Sequence, residues 1–309
     1  MIVATCLNPA LDVTYSVAAL QPGTSHRVRT VRRRPGGKGV NVASVLTQQA
    51  VPALVTGTVG GRIGDELIVG LDTAGIAHRF SPIAGTTRQT VTITSEDEAT
   101  VLNEPGPIVT DSEWEAFTAV FAGLLDDAEI VTLSGSLPGG VRSSAYAELI
   151  GIAHQHDAVV ILDCEGESLV EALHAGPDIV KINEHEAASS TGIETDSTKG
   201  VFAAAEELHV LGAVEVVITR GAAGVAARTR DGRFVGTAAR TVNGNPTGAG
   251  DAFTAGLAAS TAEGADWPTR LRRASAWAAA AVAMPTAGEL DLQVATDHEN
   301  RTTIEEIPK

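Results

Sequence analysis

Short apolar runs alternate with longer stretches in which apolar side chains recur every three or four positions. The runs Ile2–Leu7, Ala53–Thr58, Glu129–Ser134, Ala158–Asp163, Asp178–Ile182 and Val214–Thr219 predict strands. Several, such as VVIL and EVVIT, are almost continuously apolar, as expected of parallel strands covered on both faces. Among the helical stretches the clearest starts at Thr110, where Thr-x-x-Glu (Thr110, Glu113) has the form of a capping box. Trp114, Phe117, Phe121 and Leu124 then follow at helical spacing. Repeated strand–helix units predict an α/β fold, a doubly wound and mostly parallel sheet.

Two segments, 12–34 and 86–104, break that rhythm. They contain short alternating strands (Asp12–Val17, Arg27–Arg33, Gln89–Thr94, Thr100–Leu102) and no helix pattern. They predict a small β-sheet that projects as a lid. Residues 1–11, 35–85 and 105–309 then form the main α/β domain. Trp267–Met284 has the pattern of an alanine-rich helix, and the tail after Leu290 is polar and poorly patterned.

Composition narrows the class. The 309 residues are 44% hydrophobic with 32 glycines, enough chain to bury a large core without staples. Cys6 and Cys164 lie far apart without metal-ligand spacing, which suits a reducing compartment. No apolar run approaches the roughly 18 residues needed to span a bilayer. The amino end lacks the pattern of a signal peptide, so a cytoplasmic location is expected, with no membrane partner. A net charge of -16 argues against nucleic acid as a partner. Against that acidic background Arg27, Arg29, Arg32, Arg33, Arg34 and Lys38 cluster just before a glycine-rich turn. Such a run is ordinarily a solvated edge strand, but here it also suits a pocket for a small anion.

Three local patterns could carry chemistry. In Asn245-Pro246-Thr247-Gly248-Ala249-Gly250-Asp251 the small residues let a backbone approach a ligand closely, and the helix they open directs N–H groups at it. Asp251 in the first turn could simply complement the helix dipole. A cap, however, needs one small residue and not three. An anion cradle beside a carboxylate is what phosphoryl transfer requires. No GxxxxGK[ST] loop exists in the chain, and Phe253 stands where a dinucleotide fingerprint has its third small residue. The second pattern, Gly36-Gly37-Lys38-Gly39-Val40-Asn41, places a lysine in a glycine turn at a helix start, where it could meet a phosphate. Glycine–lysine turns are also common on surfaces. The third is Asn183-Glu184-His185-Glu186. Its asparagine and glutamate are ordinary helix-start residues, yet one turn apart they can also hold waters of a hydrated Mg²⁺.

Together these motifs resemble the PfkB (ribokinase-like) carbohydrate kinase family. Gly36–Ala43 is similar to its amino-terminal signature, Asn245–Ala258 to its carboxy-terminal one, and Asn183–Glu186 to its Asn-x-x-Glu motif. The resemblance runs from Met1 to about Gly288. It implies a ribokinase-like fold with a β-sheet lid and ATP and Mg²⁺ as cofactors. It implies Asp251 as base, with Gly248, Ala249 and Gly250 as the anion hole. Asn183 and Glu186 would place Mg²⁺ and phosphate, and nucleotide contacts would come from Thr219, Gly221 and Gly224. Leu7-Asn8-Pro9-Ala10-Leu11-Asp12 resembles the phosphosugar branch, which includes 1-phosphofructokinase and tagatose-6-phosphate kinase. That branch implies Asp12, Gly37, Lys38, Asn41, Arg88 and Ser136 for the sugar phosphate, with Lys38 and Arg88 on its far phosphate.

The expected reaction is phosphorylation of fructose 1-phosphate to fructose 1,6-bisphosphate. Lys181-Ile182-Asn183, Cys164-Glu165-Gly166 and Asn245-Pro246-Thr247-Gly248 depart from the commonest forms in that branch and leave tagatose 6-phosphate and fructose 6-phosphate open. A kinase for an unphosphorylated sugar and a non-catalytic phosphosugar or nucleotide sensor are the rivals. The edges of a lid sheet offer a homodimer contact.

Overall fold

The computed structural model describes residues 1–95, 98–237 and 242–308. The expected lid segment 86–104 and main-domain segment 105–309 therefore each contain residues outside that set. From the amino end, β1 (Ile2–Cys6) leads into β2 (Ala10–Ser16), and β3 (Thr30–Gly36) enters α1 (Lys38–Gln48). Next come β4 (Ala53–Val59), α2 (Gly61–Thr73), β5 (His78–Pro82), β6 (Arg88–Thr94) and β7 (Ala99–Asn103). The middle of the chain holds α3 (Asp111–Ala122), β8 (Ile130–Ser134), α4 (Ala145–Gln155), β9 (Val159–Asp163) and α5 (Glu167–Leu173). It continues with β10 (Ile179–Asn183), α6 (Glu184–Thr191), α7 (Thr198–Val210) and β11 (Glu215–Thr219). Strands β12 (Val225–Arg228) and β13 (Arg233–Thr237) precede α8 (Ala249–Ala262), α9 (Trp267–Val282), α10 (Leu292–Arg301) and β14 (Thr303–Ile307).

Ten strands form the main sheet in the order β14-β13-β12-β11-β10-β9-β8-β1-β4-β5. The pairs from β11 to β5 are parallel, and β12, β13 and β14 add antiparallel at the other end. The strand pleat divides the core in two. Val131, Leu133, Val160, Leu162, Val180 and Ile182 face α3, α4 and α7, where Phe117, Phe121 and Leu149 are buried. Ile130, Ile161, Ile179 and Val217 face α1, α8 and α9, packing with Val42, Phe253 and Trp277. Strands buried on both faces need apolar residues at every position, which accounts for the continuous runs. At the start of α3 both reciprocal bonds of the Thr110–Glu113 capping box form.

The second sheet has the order β3-β2-β6-β7. Ala10 of β2 stands opposite Gly36 of β3 and Arg88 of β6. Its strands extend beyond 12–34, because β2 starts at Ala10 and β3 ends at Gly36. Strand β3 also starts at Thr30 and not at Arg27, since its partner β2 runs out at Ser16, opposite Thr30.

Four strands lack the expected apolar signal. β5 and β14 are edge strands with half-polar sequences, and β12 and β13 are short. The polar tail is a further correction. Asp291 caps α10 by accepting from the N–H groups of Gln293 and Val294, and β14 closes the sheet edge against β13. An amphipathic edge element needs only a few apolar contacts, here Ala295 and Ile304, so its signal in the sequence is weak.

Candidate active site

The carboxyl ends of β1, β8, β9, β10 and β11 line one edge of the sheet, which includes the place where the strand order reverses around β1, the usual site of ligand binding in open parallel sheets. Two glycine-rich segments meet there. In the first, a side chain at Gly36 would collide with the Asp12 carboxylate, and one at Gly39 with the Thr5 carbonyl. Gly37, at φ +105°, would bring a side chain 2.7 Å from the Cys6 sulfur. The turn therefore lies directly on the end of β1, and Lys38 opens α1 above the sheet.

Lys38 donates to Oδ1 of Asp163 at 2.8 Å, and Lys181 donates to Oδ2 of the same carboxylate at 2.8 Å. Thr254 of α8 adds a third donor at 3.2 Å. Burial alone would raise the Asp163 carboxyl, but the ammoniums of Lys181 and Lys38 hold it well below the usual carboxylate range. Burial would likewise lower Lys38, and the Asp163 carboxylate, with Asp251 and Glu186 behind it, raises it instead. Two cations on one carboxylate leave a local excess of one positive charge.

The second glycine segment opens α8. Gly248, at φ +84°, is in the left-handed region and packs against Ala287, where a side chain would collide. A Cβ on Gly250 would stand 2.9 Å from Nζ of Lys181, so the buried ammonium lies directly behind the turn. The N–H of Ala249 donates to the Pro246 carbonyl at 3.1 Å and closes the turn. That bond takes one of the three expected N–H groups. Among the described residues, Gly248, Gly250 and Asp251 have no backbone acceptor.

Asp251 is buried, and Asn41 of α1 donates to its Oδ2 at 2.7 Å. Burial, followed by the nearby Asp163 charge, raises its carboxyl from 3.8 to about 6, while Asn41, Lys38 and Lys181 oppose the rise. Asn41 in turn accepts from Arg34 at 2.6 Å, and Arg34 also donates to the Ala287 carbonyl. Nε of Arg34 stands 3.8 Å from Asp12. Burial raises the Asp12 carboxyl, opposed by Arg34 and Arg88. Arg88 donates to the carbonyls of Asn8 and Glu104 and so joins β6 to the end of β1 and to the turn after β7.

The expected residues thus fall into neighbouring groups with different surroundings. Asp251, Gly248, Gly250, Lys38 and Asn41 come together around Asp163. Asp12 and Arg88 stand beside each other on the small sheet, with Arg88 bonded to the Asn8 and Glu104 carbonyls, whereas Lys38 is bonded to Asp163. The basic run also divides: Arg27, Arg29, Arg32 and Arg33 are exposed, whereas Arg34 and Lys38 turn inward. β3 is half-buried at Arg34 and Pro35 and becomes buried only at Gly36.

Asn183 and Glu186 form a complete capping box at the start of α6, each side chain accepting from the other's backbone N–H at 2.9 Å. Asn183 pairs in register with Thr219 at the end of β11. Gly221 follows in an open turn, and a side chain on Gly224 would meet the Gly236 carbonyl, so that glycine is required by the β12–β13 pairing. Ser136 accepts from Asn8 at 3.3 Å beyond β8. No group of three or more His, Cys, Asp or Glu able to cage a metal occurs among the described residues. Glu186 with Asn183 suits Mg²⁺, which keeps several waters and takes few protein ligands.

Asp163, Lys181, Thr254 and Arg34 received no individual role from the sequence. For two of them a signal existed: Lys181 is a lone charge inside the apolar run IVKIN, and Asp163 ends the apolar run VVILD.

The architecture is shared with known enzymes. A protein from Thermotoga maritima described as a possible 1-phosphofructokinase superimposes with a TM-score of 0.90 at 26% identity, with both chains covered in full. Phosphofructokinase-2 from Escherichia coli, solved with substrates and products, gives a TM-score of 0.88 at 25% identity over 97% of this chain and 98% of that one. Ribokinase from Arabidopsis thaliana, solved with ribose and ATP, shares the fold with a TM-score of 0.77 at 24% identity over 96% and 98% of the two chains. The family model "pfkB family carbohydrate kinase" matches residues 2–293. With nearly the whole chain matched, the protein belongs to the pfkB family of carbohydrate kinases, phosphotransferases whose acceptor is an alcohol group.

Proposed function

We propose that this kinase transfers the γ-phosphoryl group of ATP to fructose 1-phosphate, giving fructose 1,6-bisphosphate. The observation that carries the reading is the juxtaposition of Asp251, the α8 amino end and the Lys38–Asp163–Lys181 cluster. A free sugar hydroxyl attacks the γ-phosphorus, the bond to the β-phosphate oxygen breaks, and the hydroxyl proton passes to Asp251. ADP leaves with the bridging oxygen. The free N–H groups of Gly248, Gly250 and Asp251, with the Lys181 ammonium behind them, suit the charge that spreads over the transferring group. Lys38, among Asp163, Asp251 and Glu186, belongs at this reacting end. Glu186 and Asn183 would hold Mg²⁺, which would supply neutralising charge to the phosphates. Thr219 and Gly221 line the approach of the nucleotide.

A phosphorylated acceptor is supported by Arg88, whose guanidinium sits beside Asp12 on the small sheet. Asp12 would take sugar hydroxyls, and Arg88 the phosphate the sugar already carries. We read the small sheet as a lid that keeps water from the phosphoryl group. Its outer strands expose Val31 (53%) and Leu102 (54%), which supports pairing of two lids in a homodimer.

An ADP-release assay with Mg-ATP tests the substrate against fructose 1-phosphate, fructose 6-phosphate, tagatose 6-phosphate and unphosphorylated sugars. The highest kcat/KM is expected for fructose 1-phosphate. Preference for a neutral sugar would remove Arg88 from phosphate binding, and binding without turnover would replace the kinase with a sensor.

A further inference from the structure

We infer that Arg34 is a positioning residue that couples the small sheet to Asp251 by fixing the orientation of the Asn41 amide. The inference rests on the reading of Asp251 as the base. Arg34 is the last arginine of β3, two residues before the glycine turn. Its guanidinium makes two hydrogen bonds, to Oδ1 of Asn41 at 2.6 Å and to the Ala287 carbonyl, and its Nε forms an ion pair with the Asp12 carboxylate 3.8 Å away. A guanidinium can only donate, so the atom of Asn41 that faces it must be the oxygen. The amide nitrogen is thereby turned to Asp251, where it donates to Oδ2 at 2.7 Å. With Oδ2 engaged, Oδ1 is the oxygen left to take a proton. No side chain among the described residues donates to it.

Without Arg34 the amide would lose the one charged donor that its oxygen has among the described residues and could turn over. A turned amide would present its own oxygen to the carboxylate, replacing attraction by repulsion at the buried base. The chain Asp12–Arg34–Asn41–Asp251 also joins the carboxylate placed to meet the sugar with the one placed to deprotonate it. The Ala287 carbonyl anchors its middle to the loop that packs on Gly248. Ser44 and Gln48 of α1 donate to the neighbouring Gly288 carbonyl at 2.7 and 2.6 Å, so that loop is tied to the same helix as Asn41.

A double-mutant cycle with Arg34→Met and Asn41→Ala tests the inference on the full-length enzyme with Mg-ATP and its best sugar. Arg34→Met should lower kcat by about tenfold, as expected when a reacting group loses its orientation, and Asn41→Ala by at least as much. In the Asn41→Ala background the Arg34 substitution should cost less than about twofold, because the route to Asp251 is already cut. The acid limb of the kcat profile should also move to higher pH in Arg34→Met. The other charged groups facing Asp251, namely Asp163 on β9, Lys38 on α1 and Lys181 on β10, are unchanged in that variant. Should Arg34→Met not fold, as judged by its thermal melt, Arg34→Lys takes its place. Lysine keeps the charge on a single nitrogen but lacks the planar fork that serves Asn41 and Ala287 in fixed directions, and a loss of about tenfold is expected. Equal tenfold losses in both backgrounds, or an unmoved acid limb, would overturn the inference. A fully active Arg34→Met beside an inactive Asp251→Asn would do so too, while leaving Asp251 as the base. An active Asp251→Asn would instead remove the reading on which the inference rests.

Discussion

Nζ of Lys181 donates to Oδ2 of Asp163 at 2.8 Å, with the lysine 4% and the aspartate 1% exposed. Lys181 lies in the middle of β10 and Asp163 at the end of the adjacent parallel strand β9. Removing one partner of such a pair leaves an uncompensated buried charge. Asp163→Asn, which strands Lys181 as well as releasing Lys38, should lose about 3–5 kcal/mol in urea unfolding. A loss below about 1 kcal/mol would show that the cluster is solvated and not part of the core.

The same lysine gives Gly250 its constraint. Gly250→Ala would place Cβ 2.9 Å from Nζ of Lys181 and displace either the ammonium or the α8 amino end. We expect kcat to fall about 100-fold, in the range seen when a reacting geometry shifts by about an ångström. The melting temperature should change by only a few degrees. A kinetically normal Gly250→Ala would separate the cradle from the transferred group.

Asp251 carries a prediction of opposite sign for activity and stability. Its carboxyl is raised from 3.8 to about 6, so the fold favours the neutral form. The stability tied to that form is fully present below pH 4 and is lost as pH rises through about 6. At pH 8 the ionised group therefore costs about 3 kcal/mol by the usual conversion. Asp251→Asn should lower kcat by orders of magnitude yet unfold at a higher temperature than the parent at pH 8, with the gain absent at pH 4. In the parent enzyme kcat should climb with pH up to about 6 and then level, as expected of a base that must be ionised. A flat profile between pH 5 and 8 would contradict the assignment.

Lys38 and Arg88 should separate kinetically. Lys38 stands among the carboxylates of Asp163, Asp251 and Glu186, and Arg88 beside Asp12 on the small sheet. Lys38→Ala should chiefly reduce kcat, whereas Arg88→Ala should raise KM for the phosphosugar tenfold or more, the order expected for a lost charge-assisted contact, with KM for ATP little changed. Equal effects of both substitutions on the sugar KM would return them to a shared phosphate site.

Glu186 caps α6 and, on the proposed reading, also holds Mg²⁺, and one substitution can divide the two roles. Its Oε2 accepts the Asn183 N–H in the capping box, a bond glutamine can also make. Glu186→Gln should therefore leave the melting temperature nearly unchanged while raising the Mg²⁺ concentration needed for half-maximal rate. An unchanged Mg²⁺ requirement would leave Glu186 with the cap alone.

The sequence by itself determined the parallel core, because strands covered on both faces must be apolar at every position, as VVILD and EVVIT largely are. It also located both glycine turns and the buried carboxylate of Asp251 beside the second, since close backbone approach at 36–39 and 248–250 excludes side chains whatever lies opposite. What lies opposite was decided by the tertiary structure. The partners of Asp163 come from positions 38, 181 and 254, and Asn41 meets Asp251 across 210 intervening steps of chain. No local pattern encodes which charges will share a buried site, because that depends on the order in which β1, β9 and β10 lie in the sheet. The same holds for the edge. β14 and the tail have too few apolar positions to announce themselves, and β13, already in place, supplies the hydrogen-bonding partner that makes them a strand.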